Sequence, residues 1–327
     1  MKSTIIGPYP RVGSECGDAL RKELNRFYRG SSSEELIQNL RKSLTREVVQ
    51  EMISSGIDLP NCGLIDVHDE LTWPLEYVNG VEFGGIKKVF HTNTHYREAL
   101  VNDEVSRKKS FVGDLYWTAR ELCPKVKVEF PGPYTLARHS RLTEKSQYKN
   151  LEELALTYAR LLREELLQLR DIPLVQFNEP SITAFGRQNE DVDIVPELYE
   201  TLLYGIKIPT AVCTFYGKYS ADRLEMLLSL PVNVIGIDFV WDPDVDVLLR
   251  KTSHDKGICL GLIDSGDRGY IGLENPDDVL KKLRGLKGCV CFDKSFLSSN
   301  ATLQHLPRDY ARKKISLIAE ITRRVNR

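Results

Sequence analysis

The sequence predicts an α/β fold, a (β/α)8 TIM barrel formed by residues 1–327 as one domain, with an antiparallel hairpin insert at 73–102. Three observations predict it. Eight short apolar runs rich in β-branched residues recur along the chain, and helix-period segments lie between them. Eight parallel strands with crossover helices is also the number that closes a barrel. The competing architecture, an open doubly wound sheet, would carry a phosphate-binding turn after its first strand, and neither Gly-x-Gly-x-x-Gly after a strand nor a P-loop pattern occurs.

In chain order the strands fall at 3–7, 62–66, 126–130, 174–177, 210–214, 234–238, 259–263 and 289–292. Helices are expected at 18–28, 33–55, 103–122, 151–170, 195–204, 220–228, 243–250, 276–283 and 307–324. Ser33 ahead of Glu34-Glu35 is a cap signal, and Pro276 and Pro307 suit a first helical turn. Between the second and third strands, Val78-Asn79-Gly80-Val81 reads as a hairpin turn, so this stretch makes an antiparallel excursion over one barrel end.

Of the 327 residues, 42% are hydrophobic and 28% charged, an ordinary core-forming composition. Lys plus Arg number 45 against 46 Asp plus Glu, so no overall basic field points to nucleic acid or to an anionic membrane. Apolar stretches such as 231–237 fall well short of the ~18 residues a membrane span needs, and no secretory h-region opens the chain; a cytoplasmic protein is expected. Seven cysteines without a Cys-x-x-Cys pair read as packed thiols, not as a disulfide framework.

Barrel chemistry collects at the C-terminal ends of the strands. Those ends carry Pro10-Arg11, Asp66-Val67-His68-Asp69-Glu70, Asn178-Glu179-Pro180, Cys213, Asp238, Asp264 and Asp293. Any one carboxylate there can simply cap the next helix. Glu179 stands out because Pro180 fixes the turn after it. The basic run Arg21, Lys22, Arg26 and Arg29 beside Arg11 reads equally as a solvated helix face or as an anion site. His91 and His95 are four apart, a zinc spacing on a helix, but the preceding residues read extended.

Five stretches in register resemble the cobalamin-independent methionine synthase family: Ile5-Ile6-Gly7-Pro8-Tyr9-Pro10-Arg11-Val12-Gly13, Phe90-His91-Thr92-Asn93-Thr94-His95-Tyr96, Pro131-Gly132-Pro133-Tyr134-Thr135-Leu136, Val175-Gln176-Phe177-Asn178-Glu179-Pro180-Ser181 and Cys213-Thr214-Phe215-Tyr216-Gly217. The resemblance implies methyl transfer from methyltetrahydrofolate polyglutamate to homocysteine, by a protein of two facing barrels of which the C-terminal one holds zinc. The family's zinc ligands are a His-x-Cys pair, a Glu and a second Cys. Here those places read Ala211-Val212-Cys213, Asp238 and a cysteine-free 297–303, so zinc with the full ligand set is not expected and Cys213 and Asp238 remain as a relic. Asn178 replaces an Asp thought to hold the homocysteine ammonium.

The family's N-terminal barrel is the closer likeness. Its opening helix touches the folate glutamate tail, which carried over gives Arg11, Arg21, Lys22, Glu23 and Asn25 as folate-binding, with Glu179 and Asn178 as the catalytic candidates. The resemblance therefore implies a folate-contacting half that works with a second, zinc-bearing barrel chain. The alternatives are a stand-alone methyltransferase with a modified metal site at Cys213 and Asp238, and a non-catalytic binder of a pterin or small anion.

Overall fold

A computed structural model describes residues 1–90, 92, 94–184, 191–267, 269 and 272–327. Its strands are β1 (Lys2–Ser3), β2 (Val78–Lys88), β3 (His95–Arg107), β4 (Val128–Pro131), β5 (Ser140–Leu142), β6 (Val175–Asn178), β7 (Thr210–Cys213), β8 (Val234–Asp238), β9 (Gly257–Ile263) and β10 (Phe296–Ser299). Seven of them form a curled parallel sheet in the order β1-β10-β9-β8-β7-β6-β4. Residues 59–60 hydrogen-bond to both edges: Leu59 N–H donates to Ser3 O at 3.0 Å, and Lys127 N–H donates to Pro60 O at 2.9 Å.

The helices are α1 (Glu15–Phe27), α2 (Glu34–Ser55), α3 (Asp114–Leu122), α4 (Pro133–Arg138), α5 (Leu151–Leu166), α6 (Ser181–Ala184), α7 (Val195–Leu203), α8 (Ala221–Ser229), α9 (Val245–Leu249), α10 (Pro276–Gly285) and α11 (Arg308–Val325). Their starts follow from local chemistry, since Ser14, Ser33, Asn150, Ser220 and Asn275 each accept a first-turn N–H. Along α2, Leu44, Val48, Val49 and Met52 recur at helical spacing and are buried, each contributing roughly 1.5–3 kcal/mol. No helix among the described residues is long and apolar enough to cross a membrane.

Four differences from the sequence expectation bear on the site. The segment 62–66 is no strand, because Gly63 (φ 78°) and Leu64 (φ 48°) turn left-handed there and only Leu59 bridges to Thr4. The last strand is β10, not 289–292; Cys289 and Val290 instead pack under the end of α10, with Cys289 bonding Leu286 O. Its Ser298 and Ser299 are fully buried, so a search for apolar runs passes over it. The helix expected from 103 begins only at Asp114, since β3 continues to Arg107.

The fourth concerns the excursion, in which β2 and β3 pair antiparallel from Val78↔Arg107 to Lys88↔His95, extending beyond 102. Asn79-Gly80 is not its turn. Gly80 (φ 80°) sits at a register shift inside β2, where a Cβ would lie 2.3 Å from Glu104 O. The excursion brings Phe90 and Tyr96 onto the C-terminal end of the parallel sheet, where Phe90 lies 5.3 Å from the Tyr216 ring.

Candidate active site at the strand ends

The interior below the strand ends is polar. Lys127 and Glu129 form a fully buried ion pair at 3.1 Å, and Lys127 also donates to Ile5 O and Gln176 Oε1, both at 2.6 Å. Glu129 accepts from Gly7 N–H and Asn61 Nδ2, both at 2.8 Å. Asn178 belongs to this network: its Oδ1 accepts from Gln176 Nε2 at 2.7 Å and its Nδ2 donates to Glu129 Oε2 at 3.2 Å. The amide is thereby spent on holding the interior together.

Glu179 and Asp238 are equally committed. Glu179 accepts from the backbone N–H groups of Tyr134 (3.1 Å) and Thr135 (2.7 Å), at the start of α4, and from Tyr199 Oη at 3.2 Å. Its carboxylate packs so closely on Gly132 that a Cβ there would fall 2.1 Å from Oε1. Asp238 accepts from Val240 N–H (2.9 Å), Trp241 N–H (3.0 Å), Tyr216 N–H (3.1 Å) and Asn300 Nδ2 (3.2 Å). Burial pushes both carboxyls up to about 7 against these donors.

Cys213 and Cys259 share one level of the sheet, each in register with Gly236 between them. A Cβ on residue 236 would come within 2.4 Å of Cys213 Sγ. The hydrogen bond with Cys259 and then burial hold the Cys213 thiol well above its ordinary value. With Asp238 already four-fold satisfied, these two residues do not fit the family's zinc, and no group of three metal-ligating side chains occurs among the described residues. His95 is exposed on β3. His91 lies outside the described residues.

Sequence reasoning placed Glu70 among the strand-end residues but did not single it out as a site residue. It is 4% exposed, and its Oε1 accepts from Tyr96 Oη at 3.0 Å with Tyr216 Oη at 3.5 Å; burial pushes it up to about 8. Tyr216 reaches it from a left-handed backbone (φ 68°), which is costly for an aromatic residue and is stabilised by the bond to Asp238. Phe90, Tyr96 and His139 line the same end, with Phe90 5.3 Å from His139. The available signal was the acidic pair Asp69-Glu70 after an expected strand; nothing local marks Phe90 or Tyr216, which the fold brings together from 126 positions apart.

On the rim, Arg11 Nη1 lies 3.4 Å from Ile65 O and 3.3 Å from Val67 O. Arg21, Lys22 and Asn25 are exposed on α1; Arg21 is 3.8 Å from Asp18, and Glu23 accepts from Arg26 and Ser32, both at 2.9 Å. Arg11 thus leads into α1, but Glu23 is occupied within its own helix turn and loop.

The family model for the N-terminal domain of cobalamin-independent synthase matches residues 81–286. Methionine synthase of Sulfurisphaera tokodaii is 25% identical over 321 residues, covering 96% of this chain and 89% of that protein. The 5-methyltetrahydropteroyltriglutamate–homocysteine methyltransferase of Bacillus subtilis is 24% identical over 339 residues, but the chain spans only 43% of its length. In fold, the chain is similar to a B12-independent methionine synthase from Shewanella sp. W3-18-1 in complex with selenomethionine (TM-score 0.80, 21% identity, 99% and 98% of the two chains). A putative vitamin-B12 independent methionine synthase from Listeria monocytogenes also shares the fold (TM-score 0.76, 14% identity, 99% of each chain). With 206 of its residues matched by the N-terminal domain model, the chain belongs to the cobalamin-independent synthase family.

Proposed function

We propose that residues 1–327 form one closed (β/α)8 barrel, with 59–60 standing in for its second strand and β2–β3 as an insert. It takes part in methyl transfer from methyltetrahydrofolate polyglutamate to homocysteine, in the cytoplasm. It acts as the folate-contacting half beside a separate zinc-bearing barrel chain, with Arg11, Arg21 and Lys22 toward the glutamate tail. The observation that carries this reading is the state of the zinc places. Cys213 is turned onto Gly236 and Cys259, and Asp238 is saturated by four donors, so this barrel is built to keep those side chains and not to lend them to a metal.

A second reading is favoured by chain length, since the Sulfurisphaera methionine synthase is covered over 89% of its own length. On that reading the barrel is a stand-alone methyltransferase using Cys213 and Asp238. One experiment separates them: metal content of the purified chain, then methyl transfer to homocysteine with and without a zinc-bearing barrel of the same genome. The two-chain reading expects no stoichiometric zinc and activity only in the mixture. Zinc near one per chain, lost in Cys213→Ser, would overturn it. Folate binding without any gain in transfer would leave a non-catalytic binder.

A further inference from the structure

We infer that the outer edge of β2 is the pairing surface for a second copy of this chain, the two strands lying antiparallel about a two-fold axis at Gly84-Gly85. This is separate from the methyl-transfer reading and does not rest on it. The smaller sheet has the order β2-β3-β5, so β2 has β3 on one side and no strand on the other among the described residues. Over the eleven residues Val78–Lys88 such an edge is a ready template for another strand. Ile86, well along this edge, is 71% exposed.

The register against β3 fixes how a second copy lies. Phe83 pairs with Ala99 and Ile86 with Arg97, two positions apart on β3, so Phe83 and Ile86 share one face. Glu82 and Lys87 pair with Leu100 and Tyr96, four apart, and share the other. Gly84 and Gly85 take up the register shift between them. A two-fold axis normal to the sheet keeps every residue on its own face. The register that satisfies this on both sides of the shift sets Glu82 against Lys87 and Phe83 against Ile86, each twice. Opposite charges meet on one face and apolar side chains on the other.

The charges left over within one chain fit this pairing. Lys87 and Arg141 both approach Glu98, each at 3.3 Å, so two cations share one carboxylate. Glu82 accepts only from the Asn102 amide at 2.9 Å and has no cation within 4.0 Å among the described residues. Gly85 also has no reason to be glycine within its own chain: its φ is not left-handed, and a Cβ there would meet no described atom within 4 Å. The pairing supplies one. At the axis residues 84 and 85 of both copies converge, four side chains where a regular ladder holds two.

Sedimentation velocity of the full chain from about 1 μM to about 1 mM tests this. The wild type should pass from monomer to dimer across that range. Glu82→Lys and Lys87→Glu each set like charges opposite one another at both pairs, so either variant alone should weaken the dimer roughly tenfold or more. An equimolar mixture of the two variants should recover it, because every substituted charge then meets its opposite on the other chain. A variant that failed to fold would not be rescued by mixing. A wild type that stays monomeric throughout overturns the inference. So does a dimer that neither substitution weakens, which places the contact elsewhere, and so does a mixture no tighter than its components, which removes the register.

Discussion

The acids at the ends of the parallel strands and the cations Arg11 and Lys22 stand in opposite states. Asp238 has four donors and Glu179 three, and Glu129 holds an ion pair besides its amide and backbone partners. Arg11, by contrast, reaches only two carbonyls at the long end of hydrogen bonding, and Lys22 points into solvent. A polar residue at a strand end is therefore ambiguous until its remaining hydrogen-bonding capacity is counted. Satisfied groups hold the fold; unsatisfied ones are free to meet a ligand. Glu70 lies between, with phenols on one oxygen.

The sharpest way to break this contrast is to remove an interior partner. Lys127→Met leaves Glu129 charged in a fully buried place and deprives Ile5 O and Gln176 Oε1 of their donor. The expected loss is about 3–5 kcal/mol in urea denaturation. Adding Glu129→Gln should recover part of it, because the leftover charge is gone. A single variant within 1 kcal/mol of wild type, on the order of a surface change, would mean the interior is not the rigid frame proposed.

The same contrast explains what was legible in the sequence. Strand β8 was read to its ends, Val234–Asp238, because Val234, Ile235 and Ile237 are apolar and β-branched, and the family resemblance followed from five stretches in register. β10 and 59–60 were not legible, since Ser298, Ser299 and Pro60 carry no apolar signal; they are strand-like only because neighbours supply hydrogen bonds. Asn79-Gly80 has turn chemistry that serves a bulge just as well. For the site, residue type at a strand end was visible, but occupancy was not: Cys259, Tyr134 and Asn300, which spend Cys213, Glu179 and Asp238, come from other elements.

A smaller effect comes from Glu70. Its carboxyl is pushed up from 4.5 to about 8 by burial, so across that window the folded chain keeps a proton that the unfolded chain releases. Stability is then fully present below 4.5 and declines as pH rises through about 8. His139, pushed down to about 3 by burial, acts in the opposite sense only below its unfolded value of 6.5, so measurements above that pH isolate the acids. Urea midpoints should fall between about pH 6.5 and 8.5, and less steeply in Glu70→Gln. A residual slope is expected from Asp238 and Glu179, both near 7. Equal slopes in wild type and variant would show that Glu70 does not titrate in this window.

The least effect on stability is expected at the rim. In α1 the buried Leu20 and the half-buried Cys16, Leu24 and Phe27 face the hydrophobic core, which leaves Arg21 and Lys22 on the opposite side. Arg21 keeps 63% of its side chain exposed, and its 3.8 Å approach to Asp18 is a surface pair within one turn. Arg21→Ala/Lys22→Ala should therefore leave unfolding within about 0.5 kcal/mol of wild type, helped by the higher helix propensity of alanine. Denaturation curves check this directly. A loss well above about 1 kcal/mol would place these cations with the satisfied interior acids as structural groups, and the division between a spent interior and an unspent rim would then have to be drawn inside α1.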